Sequence, residues 1–150
     1  MLRIKQINKP DDFDEQLTKE KFIDFLFNHL DRFGDSIEAI GKSIDYAFSE
    51  SEGCGGFLLA AYNNDELVGE LVMNKTGMSG FIPENVLVYV AVDEKYRGRG
   101  FGKEIVLKAI ELSDGDVKLH VEYDNPAKRL YERIGFTSKY AEMRFIKNEK

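Results

Sequence analysis

The chain has 150 residues, 43% of them apolar, and a formal net charge of −6, which fits a single domain, 1–150, large enough to bury a core. The acidic balance argues against a nucleic-acid partner, because sequence-independent affinity for a phosphate backbone comes from added positive charge. There is no run of eighteen apolar residues, the opening MLRIKQINKPDDFDEQL lacks the apolar stretch of a secretory signal, and one cysteine with two distant histidines gives neither an internal disulfide nor a zinc site. The expectation is a cytoplasmic protein with no membrane partner and no metal.

Leu2, Ile4 and Ile7 predict a first strand, ended by Pro10-Asp11-Asp12. Phe22, Phe25, Leu26, His29, Leu30 and Phe33 then recur at three and four residues, as do Ile37, Ile40, Ile44, Ala47 and Phe48. Two helices are expected, hinged at Gly34-Asp35-Ser36 with Ser36 as N-cap, and their apolar stripes read first as core. Residues 11–38 hold nine acids against Lys19, Lys21 and Arg32. A solvated helix face is the simplest reading of that excess, and it would also steer a cationic acceptor. Gly53 to Gly56 ends the helical region. Cys54 within it has no adjacent base, so a covalent acyl carrier is not expected.

Phe57–Tyr62 and Glu66–Asn74 flank Asn63-Asn64-Asp65 and predict a hairpin; Lys75–Asn85 is a loop. Val86–Val92 is nearly continuous in β-branched residues, as for a strand buried on both faces. It runs into VDEKYRGRGFGK, where Gly98, Gly100 and Gly102 alternate with Arg99 and Phe101 before a helix over Phe101–Leu112. Such a turn leaves main-chain N–H groups uncovered at a helix start whose dipole favours negative charge, a setting for phosphate. Lys95, Arg97, Arg99 and Lys103 add four positive charges within nine residues of it. A P-loop would need glycine at Arg97 and a hydroxyl residue at Glu104, and a dinucleotide fingerprint would need its third glycine at Lys103 or Ile105. What remains is Arg-x-x-Gly-x-Gly. Val117, Leu119 and Val121 predict a parallel strand reached by a right-handed crossover. Asn125-Pro126 through Gly135 reads as a short capped helix, and Phe136–Ile146 as a strand closing the sheet.

Arg97-x-x-Gly100-x-Gly102 followed by Asn125…Ala127…Leu130-Tyr131…Gly135-Phe136 resembles the paired motifs of the GNAT superfamily of N-acetyltransferases. The second motif has one residue fewer between asparagine and alanine than many members, so Asp124 or Asn125 fills the asparagine position. The likeness is sharp over residues 86–136 and topological over 1–85. It implies an α/β (α+β) fold with a mixed, mostly antiparallel sheet, helices on both faces and a parallel strand pair splayed around coenzyme A. It further implies acetyl-CoA as co-substrate and direct attack by a primary amine, small molecule or peptide, in a ternary complex; homodimers are common among such proteins.

Cofactor contacts are then expected at Val90, Ala91, Val92, Arg97, Gly98, Arg99, Gly100, Phe101, Gly102, Lys103 and Asn125, with main-chain N–H groups near Val90–Val92 facing the oxyanion. Tyr131 is the expected proton donor to the departing thiolate. For the base, an alkyl ammonium of pKa ~10.4 needs help to lose its proton at neutral pH. Glu70 is the first choice, because apolar strand neighbours Val68 and Val72 would raise its pKa by burial. His120 and Glu122 come next. A degenerate CoA-binding regulatory domain, and a phosphate-binding module unrelated to CoA, are the competing readings.

Overall fold

The computed structural model describes residues 2–148, and its elements follow one another as strand, two helices, three strands, helix, strand and helix. β1 (Arg3–Ile7) is followed by α1 (Lys19–Leu30) and α2 (Ile37–Phe48), then by β2 (Gly56–Asn63), β3 (Glu66–Lys75) and β4 (Asn85–Val92). α3 (Phe101–Leu112), β5 (Val117–Leu119) and α4 (Ala127–Ile134) complete the order. The sheet runs β1-β2-β3-β4-β5, antiparallel up to β4 and parallel between β4 and β5. No helix among the described residues is long and apolar enough to cross a membrane.

Local chemistry accounts for the element ends. Thr18 Oγ1 accepts from Lys21 N at the start of α1, and Ser36 Oγ accepts from Ala39 N at the start of α2, the cap expected from sequence. Asn64 and Asp65, at φ 51° and 66°, form the two-residue turn between β2 and β3. Residues of these two types tolerate that left-handed conformation, which matches the strand twist.

The sheet separates two apolar layers. Ile7, Phe22, Leu26, Ile40, Ile44, Leu58 and Val72 pack on the α1–α2 side, and Leu59, Leu71, Met73, Leu87, Ile105, Val106 and Ala109 on the α3–α4 side. Consecutive residues such as Leu58 and Leu59 serve opposite layers, the two-residue period of a strand.

Two bulges interrupt that period. In β3, Gly69 faces Ala61 and Leu67 faces Tyr62, so Val68 is the extra residue and turns toward α3. Of the two valines expected to share a face with Glu70, Val72 does, whereas Leu67 takes the place of Val68. In β4, Tyr89 faces Val72 and Leu87 faces Met73, so Val88 is the extra residue. β5 pairs with β4 only from Asn85↔Val117 to Leu87↔Leu119, the point where this second bulge begins.

That short pairing corrects two expectations. Val121 lies beyond β5, and Phe136–Ile146 forms no strand. An alternating pattern becomes a strand only where an edge offers ladder partners, and β5 supplies three residues. Tyr140, Met143 and Phe145 are 82%, 90% and 89% exposed as a result.

Candidate active site

The bulge at Val88 decides what β4 presents beyond Leu87. Asn85 N donates to Asp116 O, toward β5, but Asp93 N donates to Val68 O, toward β3. Backbone direction alternates along a strand, so Asp93 and Ala91 turn to β3 while Val92 and Val90 turn to the side β5 has vacated. Side chains shift with it. Val90 and Val92 pack on the α3–α4 layer, and Val88, Tyr89 and Ala91 on the α1–α2 layer. Of the three residues expected to offer main-chain groups here, Ala91 is the one the geometry commits to β3.

After Val92, Asp93 Oδ1 accepts from Lys95 N and a short 3-10 turn, Glu94–Tyr96, leads into the glycine-rich segment. Gly98 and Gly100 have φ values of 84° and 82°, and a Cβ built on either would meet no atom within 4 Å. Glycine is required there by conformation and not by crowding. Gly102 differs: a Cβ on it would come within 3.3 Å of Leu130 Cδ2 and 3.7 Å of Val92 Cγ2, so its absence lets α4 approach the start of α3. Glu104 N bonds to Gly100 O, and the N–H groups of Phe101, Gly102 and Lys103 precede the first intrahelical bond.

The arginines here have different surroundings. Arg97 is tied to the protein itself, its Nε donating to Val92 O at 3.2 Å and its Nη2 to His29 O at 2.8 Å. Arg99 is exposed, with its guanidinium 5.1 Å from the Tyr96 ring, which in turn tilts against Phe101. Lys103 is exposed.

Asn125 Oδ1 accepts from Ala127 N at 2.9 Å and so caps α4 as its sequence suggested. The helix buries one residue, Tyr131, against the α3–α4 layer that also receives Val90, Val92 and Phe101. Its ring meets Phe136 edge-on at 5.8 Å. Burial, with the Glu122 carboxylate adding to it, pushes the phenol up to about 12.

Glu70 occupies the other face. It lies opposite Ala60 on β2 and Ala91 on β4, is fully buried, and has no hydrogen-bond partner on either carboxyl oxygen. Burial raises its pKa well above the usual carboxylate range. Burial raises the pKa of the Tyr62 phenol on the neighbouring strand, with Asp14 and, to a smaller degree, Glu70 adding to it. His120 and Glu122 are exposed beyond the end of β5, and burial together with nearby Lys118 lowers the histidine's pKa. Cys54 is half-buried near the Tyr46 hydroxyl, which donates to Gly53 O and Lys75 O. No group of three or more metal-ligating side chains occurs among the described residues.

The hinge at Gly34-Asp35-Ser36 was expected from sequence, but not what holds it: the last turn of α1 and the linker after it are pinned at three points. Arg97 holds His29 O, Arg32 pairs with Asp124 at 3.1 Å, and the Tyr89 hydroxyl donates to Asp35 at 2.6 Å. His29 Nε2 also stands 3.8 Å from Asp93 Oδ2. Asp31, within the linker, has φ 53° and ψ −131°, a conformation that non-glycine residues rarely adopt. These partners are 54 to 92 residues apart, so no local pattern announces them.

Residues 13–136 match the family model described as "Acetyltransferase (GNAT) family". Over 54 residues the chain is 43% identical to the SPbeta prophage-derived uncharacterized N-acetyltransferase YokL of Bacillus subtilis (strain 168), a match to 32% of this chain and 30% of that protein. The fold is similar to a GNAT-family acetyltransferase from Streptococcus pneumoniae TIGR4, with a TM-score of 0.70 and 17% identity over 99% of this chain and 100% of that one. It is also similar to an aminoglycoside acetyltransferase from an uncultured soil metagenomic sample, solved in complex with sisomicin, with a TM-score of 0.64 and 15% identity over 99% and 97% of the two chains.

Proposed function

This chain belongs to the acetyltransferase (GNAT) family, and from that membership we propose that it transfers an acetyl group from acetyl-CoA to a primary amine by direct attack in a ternary complex. The observation that carries the reading is the gap between β4 and β5: the main chain of Val90 and Val92 turns to it, the Gly98–Gly102 turn lies at one end, and Tyr131 packs in the same layer.

The residues fit the co-substrate. Gly98 and Gly100 leave the outer side of the turn without side chains, and the first N–H groups of α3 lie beside it, which suits a diphosphate. Gly98 through Lys103 would hold that group, with Arg99 and Lys103 supplying exposed positive charge. Arg97 serves by bracing the turn against β4 and α1, and Asn125 by fixing the start of the helix that carries Tyr131. Bound there, acetyl-CoA supplies an activated acyl group.

Val90 and Val92 direct N–H groups to the place where negative charge develops on the acyl oxygen. Tyr131, held protonated through the neutral range, donates a hydrogen bond to the departing sulfur. Complete transfer from a phenol near 12 to a thiolate of ordinary pKa would run uphill by roughly 5 kcal/mol, so hydrogen-bond donation is the larger part of its contribution. On the opposite face Glu70 takes the amine proton in its ionised form; the raised pKa of its carboxyl narrows the gap to the ammonium and makes that form scarcer as pH falls. Glu70 is fully buried beneath the α1–α2 layer, so an acceptor reaches it only if side chains of that layer move.

Thiol release from acetyl-CoA across a panel of primary amines, with acetylated product identified by mass spectrometry, tests the reading. Amine-dependent release at a rate well above hydrolysis supports it. Coenzyme binding without turnover on any amine replaces it with a degenerate regulatory domain.

A further inference from the structure

The α1–α2 face carries a constellation not used above, Asp35 of the linker and Tyr89 of β4. Tyr89 is 8% exposed, and its hydroxyl donates to Asp35 Oδ2 at 2.6 Å, fixing a surface carboxylate to the sheet. That bond occupies one oxygen. No ion pair engages Asp35 among the described residues, and Arg32, three positions away, is committed to Asp124 at 3.1 Å and lies over the Phe33 ring at 4.2 Å.

A fixed, unneutralised carboxylate loses little freedom when a cation arrives, so it binds one more favourably than a mobile side chain does. The independent second observation is Glu70. Its register partner is Ala91, two positions along β4 from Tyr89, which itself faces Val72. Glu70 and Tyr89 are therefore diagonal neighbours on one face, roughly 7–8 Å apart in such a pair. The buried carboxyl has no partner on either oxygen and stands under the layer whose linker Asp35 occupies.

We propose that Asp35 docks a second positive charge on the acceptor while Glu70 meets the amine that is acetylated, so that diamines and polyamines are the preferred substrates. The inference rests on the acetyltransferase reading and adds the acceptor class to it. The acid excess of residues 11–38, with Asp31 and Glu38 on either side of Asp35, draws such cations to this end of the molecule.

The test compares kcat/KM for butane-1,4-diamine with that for butylamine, which has the same chain and a neutral tail. The unmodified protein prefers the diamine by about tenfold or more, the size of a hydrogen bond to a charged group. Asp35→Asn retains an oxygen to accept from Tyr89 and loses only the charge; it brings the ratio to within about twofold while acetyl-CoA affinity is unchanged. Glu38→Gln, which removes a neighbouring exposed charge, keeps the preference. Equal use of the two amines by the unmodified protein, or a preference that survives in Asp35→Asn, overturns the inference and leaves the acetyltransferase reading standing. Transfer to neither amine nor to any other in the panel overturns both.

Discussion

Tyr131 and Glu70 are buried ionisable side chains on opposite faces of one sheet, and their surroundings push both toward the protonated form. For Tyr131 that state is the useful one, and Tyr131→Phe is expected to lower turnover by tenfold or more with acetyl-CoA affinity within about twofold of the parent. Single-turnover and equilibrium-binding measurements separate those two effects, and full activity would remove Tyr131 from the chemistry. For Glu70 the raised pKa means that the folded protein holds a proton that the unfolded chain releases. Its contribution to stability is therefore full below the unfolded carboxylate range and is lost as pH rises through the raised value. Glu70→Gln abolishes that loss, so its melting temperature should exceed the parent's at pH 7.5, with the difference shrinking as pH falls toward the ordinary carboxylate range. Melting curves across that interval check the sign, and a constant difference would mean that Glu70 does not titrate with folding. The tyrosine could be named from its motif. The environment of Glu70 could be read only in part, because the bulge at Val68 exchanged one of its expected neighbours.

At the scale of elements, the turn from β4 into α3 combines two kinds of constraint. Gly100 stands at φ 82° with open space around it, so Gly100→Ala meets no clash but places a side chain in a left-handed conformation that costs about 1–2 kcal/mol. Denaturant unfolding should show that loss, together with weaker acetyl-CoA binding from the displaced main chain. Arg97→Ala removes two hydrogen bonds from a charged donor and should destabilise by about 1–3 kcal/mol. Weaker coenzyme binding without that loss would assign Arg97 a direct contact instead. The glycines, the capped helix after Asn125, the hairpin and the cap of α2 were legible because each follows from residues within a few positions. The three ties at the end of α1 and in the linker after it were not, since they join partners far apart in the chain. The expected last strand failed for a related reason: the pattern at Phe136–Ile146 suits a strand, but whether an edge exists to receive it depends on how far β5 follows β4.

Across the whole molecule, one irregularity organises the rest. The extra residue at Val88 ends the pairing of β4 with β5, turns the main chain of Val90 and Val92 into the resulting gap, and sends Tyr89 to the opposite layer, where it holds Asp35. In the proposed function, the coenzyme and acceptor sides are thereby set on the two faces of the same strand. The order of elements was recoverable from alternating periodicity and from the family motifs, whereas the gap itself depends on a bulge that a run of β-branched residues conceals. The most direct test is amide chemical-shift mapping of 15N-labelled protein titrated with acetyl-CoA. The largest shifts are expected on Val90, Val92 and Gly98 through Lys103, with Ala91 moving less because its amide faces β3. Saturable binding that leaves the Gly98–Lys103 amides unmoved would contradict that expectation.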